Sequence, residues 1–148
     1  MIRLGDHFDL DEMTRTEKDW DNTPANIHLV ELTRLVALIL DPLRRVVGRL
    51  DVTSAYRCEV VNREVGGKLR SYHVLGCAAD VMSDEFTPEQ LMAKVHELNL
   101  PYDKMIAEKK DGVAWLHIQQ APAGKVNRGL QYLAEFKNGK MNYISHTA

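Results

Sequence analysis

The dipeptide Asp111-Gly112 sits between two strand-like runs, Met105 to Lys110 and Val113 to Gln119. Asp-Gly is a favoured two-residue hairpin turn, because it tolerates the positive φ angles that such a turn demands. A turn this short leaves one register: Lys110 faces Val113, Glu108 faces Trp115, and Ile106 faces His117. Opposed residues share a sheet face. Glu108 and His117 are therefore expected diagonally on one face. A second hairpin signal, Asn138-Gly139, lies within Phe136 to Met141.

Upstream, the pattern is helical. Phe8 to Met13 suggests a short helix or turn. Thr23-Pro24 reads as a helix start, with Thr23 as cap and Pro24 at the first helical position. In the segment from Ile27 to Val47, residues Ile27, Val30, Leu35, Leu38 and Ile39 fit helical spacing, and Pro42 is expected to kink or split the helix. Leu50 to Thr53 reads as a strand and Glu59 to Val65 as a short helix ended by Gly66-Gly67. Cys77 to Met82 reads as a strand, and Thr87-Pro88 opens a helix that reaches about Leu98. Helices first and hairpins later predict an α+β fold, a small antiparallel or mixed sheet packed against helices.

The chain has 148 residues, 45% of them hydrophobic, which suits one globular domain. With 19 basic and 21 acidic residues, the net charge is −2, and nucleic acid is not an expected partner. No run of about 18 apolar residues predicts a membrane span. The start, Met1 to Asp9, lacks a basic-then-apolar layout, so synthesis in the cytoplasm without a signal peptide is expected. The chain is expected to act as a monomer.

The chemistry-bearing residues cluster in Ser71 to Asp80 and in Trp115 to Ile118. His73, Asp80 and the strand-borne His117 make a three-ligand zinc set, and such a set keeps a fourth position for water. Gly76 lets the backbone turn tightly between the first two. Taken singly, each has a plainer reading: a surface histidine, a capping aspartate, a satisfied core histidine. Cys77 lies between two of the proposed ligands and is expected to pack as a small buried residue. Glu108, on the face of His117, is placed to act as general base. Its plainer reading is a solvent-facing carboxylate beside Lys109 and Lys110. Arg57 can grip a carboxylate through two parallel hydrogen bonds, or it can pair with Asp51 or Glu64. Ser71 can add a hydroxyl donor. His7, His28, His96 and His146 match no ligand pattern and are expected at the surface or as caps.

Together, Thr53-Ser54-Ala55-Tyr56-Arg57, Asn62, Val65-Gly66-Gly67, Ser71-x-His73-x-x-Gly76-x-Ala78-x-Asp80 and Trp115-x-His117 resemble the zinc D-Ala-D-Ala carboxypeptidases. That family sits in the hedgehog/D-Ala-D-Ala peptidase fold superfamily, which includes phage endolysins. Phe8-x-Leu10-x-Glu12-Met13-Thr14 is also similar, and the likeness covers about residues 5–120. The resemblance implies a single zinc peptidase domain over residues 1–148 and a zinc ion held by His73, Asp80 and His117. It implies substrate contacts from Arg57 and Ser71, peptidoglycan stem peptides as substrate, and action on the cell wall after release. Several relatives carry an acidic base three residues before the last histidine. Here that position is Ala114, which leaves Glu108 as the candidate base and Asp103 or a second histidine behind it. The competing readings are a catalytically inactive zinc-bearing module that binds cell wall or protein, a metal-free structural protein, and a cytoplasmic dipeptidase.

Overall fold

The computed structural model describes residues 1–146. Its elements are α1 (Leu10–Met13), α2 (Asn26–Leu35), a π-helical turn (Val36–Leu40), α3 (Asp41–Val47), β1 (Asp51–Ser54), α4 (Glu59–Glu64), β2 (Ala78–Met82), α5 (Pro88–Glu97), β3 (Lys104–Lys110), β4 (Val113–Gln119), β5 (Leu130–Lys137) and β6 (Lys140–Ser145). This is the expected α+β class, with every anticipated strand and hairpin in place.

The helical run departs from expectation at its start. Helix α2 begins at Asn26 with Ala25 as its cap residue, two residues later than Thr23-Pro24 suggests. The Thr23 hydroxyl donates to Asp21 Oδ1 at 2.8 Å, so it closes a local turn instead of capping the helix. At Pro42 the helix neither breaks nor ends. The Asp41 N–H bonds back to the Val36 carbonyl, an i→i−5 step, and this wider turn delivers the chain into α3. The buried stripe is Leu32, Leu35, Val36, Ile39, Leu40 and Leu43, whereas Ile27, Val30 and Leu38 face outward. Helix α5 starts where Thr87 predicts: Thr87 and Gln90 form a reciprocal capping box, with Pro88 in the first turn.

The six strands form one sheet in the order β1-β2-β4-β3-β5-β6. Neighbours are antiparallel except β3 and β5, which run parallel. Asp111 and Gly112 have φ of 52° and 78°. The turn they make sets the β3–β4 pairing to Lys110 with Val113, Glu108 with Trp115 and Ile106 with His117, as the sequence predicts.

Alternation along the strands divides the sheet into two faces. Ala79, Val81, Met105, Ala107, Leu116 and Ile118 are buried in the main core with the α2–α3 stripe and α5. Asp80, Glu108, Trp115, His117 and Gln119 belong to the opposite face. That division positions the site. Among the described residues, no helix is long and apolar enough to cross a membrane.

Candidate metal centre

Asp80 and His117 are register partners on β2 and β4, so their side chains rise side by side. Asp80 also pairs with Ser54 at the end of β1, just past a register shift between Val52 and Ser54, and the chain leaves the strand there toward Arg57. His73 arrives from a loop. Its approach depends on Gly76, whose φ is +76° and whose missing Cβ would stand 2.6 Å from the His28 carbonyl oxygen. A side chain there would push the loop off α2.

These supports bring His73, Asp80 and His117 together. Each offers a ligand atom, and the three atoms lie within 4.8 Å of one another. Asp80 Oδ1 is 3.1 Å from His117 Nδ1 and 3.4 Å from His73 Nε2. His73 and Asp80 are buried, and the His117 side chain is 11% exposed. Two donors bound at about 2.1 Å to one tetrahedral ion stand about 3.4 Å apart, so the spacing suits a single ion.

The remaining ring nitrogens show what this centre calls for. His73 Nδ1 lies 2.7 Å from the Ala55 carbonyl oxygen, which only accepts, so Nδ1 carries the hydrogen. His117 Nε2 lies 2.8 Å from Gln119 Oε1, also an acceptor. Both imidazoles therefore turn their other nitrogen, and Asp80 an anionic oxygen, toward one point. Acceptors that converge this way need a cation among them. A proton on His117 or a metal ion meets that need, and two imidazole nitrogens with one carboxylate oxygen are an ordinary zinc set.

Electrostatics follow from the same geometry. Burial drives the His73 pKa down, and the opposing charge of Asp80 only partly offsets it, so His73 stays neutral. For His117, burial is outweighed by the hydrogen bond and charge of Asp80, and its pKa rises. Burial also opposes ionisation of Asp80. The two imidazoles overcome it, His73 and His117 through their hydrogen bonds and His117 also through its charge, and keep the carboxylate ionised.

Arg57 stands beside this centre. Its Nε donates to Ser54 Oγ at 2.9 Å, and its two terminal nitrogens reach Asn62 Oδ1 and Asp80 Oδ2, each at 3.4 Å. The alternative pairing with Asp51 or Glu64 does not occur: Asp51 is taken by Arg49. Gly67 permits the packing, since a Cβ there would fall 2.0 Å from Asn62 Oδ1 and 3.1 Å from Arg57 Nη1. Ser71 Oγ accepts the His73 backbone N–H at 3.2 Å, so it braces the ligand loop and keeps its own hydrogen to donate.

Glu108 shares the site face. Trp115 Nε1 donates to Glu108 Oε2 at 2.7 Å. Burial first, and then the charge of Asp80, raise the Glu108 pKa, against the opposing effects of His117 and the Trp115 hydrogen bond. Ala114 pairs with Lys109, one residue out of phase with His117 along the strand. An acid at 114 would point to the other face of this sheet, so its absence takes nothing from the site. Asp103, the second candidate base, is fully engaged by Arg128 and Gln119.

Cys77 stays out of the centre. It is buried, and its thiol donates to Glu31 Oε2 at 2.8 Å. Burial and then Glu31 push its pKa up, which keeps the sulfur protonated. Of the other histidines, His7 bonds to Asp41 and His96 to Tyr102. Sequence reasoning overlooked Gln119, although it lies two residues beyond His117 on one strand and so on one face.

A family model described as Peptidase M15 matches residues 6–118. No curated protein sequence matches the chain.

Proposed function

Since the chain belongs to the peptidase M15 family, we propose that it is a zinc-dependent peptidase acting on peptidoglycan stem peptides. The observation that carries this reading is the convergence of His73 Nε2, Asp80 Oδ1 and His117 Nδ1 on one point. His73, Asp80 and His117 would hold the ion. Bound there, zinc supplies a water acidified to a pKa of about 7 and an electrophile for the scissile carbonyl.

The chain's own residues do the rest. Glu108, with its raised pKa and a fixed Trp115 donor, takes a proton from the attacking water and returns it to the leaving amine. Arg57 is held by Ser54 and Asn62 and presents its guanidinium at the edge of the centre, where it grips a substrate carboxylate or peptide carbonyl. Ser71 donates its hydroxyl to the substrate backbone beside His73. Fixing the peptide between these groups turns binding energy into alignment.

Both terminal D-Ala removal and cleavage within the stem fit this arrangement, and a phage-type lysis enzyme is the form of the activity that we propose. The test is digestion of purified sacculi, followed by mass spectrometry of the muropeptides, with and without a chelator. Loss of a terminal residue or of cross-links, abolished by chelator and restored by zinc, is the expected result. Retained zinc with unchanged muropeptides would identify a binding module instead. Activity that ignores the chelator would end the zinc reading.

A further inference from the structure

Behind His117 runs a chain of hydrogen bonds that leaves the metal centre and ends at the surface. His117 Nε2 meets Gln119 Oε1 at 2.8 Å, and Gln119 Nε2 donates to Asp103 Oδ2 at 2.8 Å. Asp103 accepts three more bonds, from the Arg128 backbone N–H at 2.9 Å, Arg128 Nε at 3.0 Å and Arg128 Nη2 at 2.7 Å. Gln119 is 2% exposed and Asp103 1%, whereas the Arg128 side chain is 51% exposed.

The direction of every bond follows from the far end. Burial works against ionisation of Asp103, but the Arg128 and Gln119 hydrogen bonds prevail and hold it as a carboxylate. A carboxylate only accepts. The end of Gln119 that meets it must therefore be the NH2, which leaves the amide oxygen facing His117. That oxygen in turn requires a hydrogen on Nε2. That leaves Nδ1, beside Asp80, as the nitrogen whose lone pair a metal ion can take when it displaces the proton shared with Asp80. Gln119 and Arg128 both lie beyond the stretch matched by the family model.

We propose that Gln119, Asp103 and Arg128 are positioning residues that lock His117 with Nδ1 toward the ion, so that metal retention depends on an anchor in the loop between β4 and β5. This rests on His73, Asp80 and His117 forming the metal site. The backbone reinforces the anchor: Asp103 N–H donates to the Gln119 carbonyl at 2.8 Å, and Leu130 N–H donates to the Asp103 carbonyl at 2.9 Å. Without the relay the ring of His117 is free to turn, and its two nitrogens lose their distinct roles. Partners that orient a metal-bound histidine typically account for 10- to 100-fold in affinity.

The test measures zinc affinity by competition with a chromogenic chelator. It also follows the exchangeable imidazole N–H signals of the cobalt-substituted protein by proton NMR. In the unaltered protein two slowly exchanging shifted N–H signals are expected, one from His73 Nδ1 and one from His117 Nε2. Gln119→Leu should weaken zinc binding roughly 10- to 100-fold and remove or speed the exchange of one signal only. Gln119→Glu sets two carboxylates together and should weaken zinc likewise. Adding Asp103→Asn to it restores a donor between them and should recover most of the loss. Should Gln119→Leu not fold, the half-exposed Arg128 carries the test: Arg128→Met is expected to speed exchange of the His117 signal and weaken zinc several-fold. Unchanged affinity and exchange in these variants, or no recovery in the double variant, would overturn the relay. His117→Ala separates the two readings. If it keeps zinc, the metal site itself is wrong; if it loses zinc while Gln119→Leu does not, only the relay is wrong.

Discussion

Trp115 gives its indole hydrogen to Glu108 across the β3–β4 pair, at 2.7 Å, and the two residues are register partners. The strand pairing thus fixes the carboxylate from below and the indole fixes it from the side. Glu108→Gln keeps the shape and the partner but cannot take a proton. Turnover should fall about 100-fold or more, the usual scale for a general base, with zinc content unchanged. Turnover within a few-fold of the unaltered protein would pass the base role to another group.

The same hydrogen bond sets a pH dependence. Burial and Asp80 raise the Glu108 pKa, and Trp115 opposes them. A base works only when ionised, so the acid limb of kcat/KM should follow the Glu108 pKa, which burial raises and the positive charge of a bound ion lowers. Trp115→Phe removes a bond that favours the ionised form. The pKa then rises further, and the acid limb should move to higher pH while the plateau falls less than in Glu108→Gln. A limb that stays put or moves to lower pH would show that some other group titrates.

Arg57 spans Ser54, Asn62 and Asp80 with a planar fork that an ammonium cannot reproduce. One charge-assisted hydrogen bond is worth about 1.5–3 kcal/mol, so Arg57→Lys should lower kcat/KM by about tenfold or more, mainly through KM. If the guanidinium grips a terminal carboxylate, peptides with an amidated C-terminus should already be poor substrates and lose little further. Equal losses on free and amidated peptides would place the grip on the peptide backbone instead.

Much of this centre is legible in the sequence because its parts obey local rules. Asp111-Gly112 dictates the register, and the register alone puts Glu108, Trp115 and His117 on one face. The spacing of His73, Gly76 and Asp80 holds because a loop residue and a strand residue are joined by a glycine that takes positive φ. What escapes is what depends on distant partners. The parallel pairing of β3 with β5 leaves no local signal, and Asp103 and Arg128 stand 25 residues apart. The helical spacing of Ile27 to Ile39 marks the helix but not which of its faces is buried. A helical series runs through Ile27, Val30 and Leu38, but the Leu32 to Leu43 series places two apolar residues on each turn and is wide enough to cover a sheet. Thr23 shows competition between caps, since Asp21 takes its hydroxyl before the helix can.

The acceptors that meet at Asp80 predict a stability effect of the ion. Zinc that binds only the folded chain should add about 2.7 kcal/mol when present at a hundred times its dissociation constant. The melting temperature should therefore climb with zinc and fall back with chelator. His73→Ala should abolish the climb. A climb of equal size in that variant would mean that the stabilising ion sits elsewhere.

Gly76 links the fold to the site most directly. Its φ of +76° disfavours any side chain, and a Cβ would lie 2.6 Å from the His28 carbonyl oxygen, a backbone atom that cannot swing away. Left-handed geometry costs a non-glycine residue roughly 1–2 kcal/mol, and the clash adds to it. Gly76→Ala should therefore lower the melting temperature by several degrees, given about 2–4 °C per kcal/mol for a chain near this size. Relief of the clash moves the loop that carries His73 away from α2, so zinc affinity should fall as well, beyond what the loss of stability explains. Gly139→Ala is the control. Gly139 has a φ of +78° in a hairpin turn, and a Cβ there would meet nothing within 4 Å, so it has the positive φ without the clash and lies far from the ligands in sequence. It should lower the melting temperature by less and leave zinc affinity unchanged. Equal zinc affinity in both variants would show that the approach of Gly76 to His28 does not position His73.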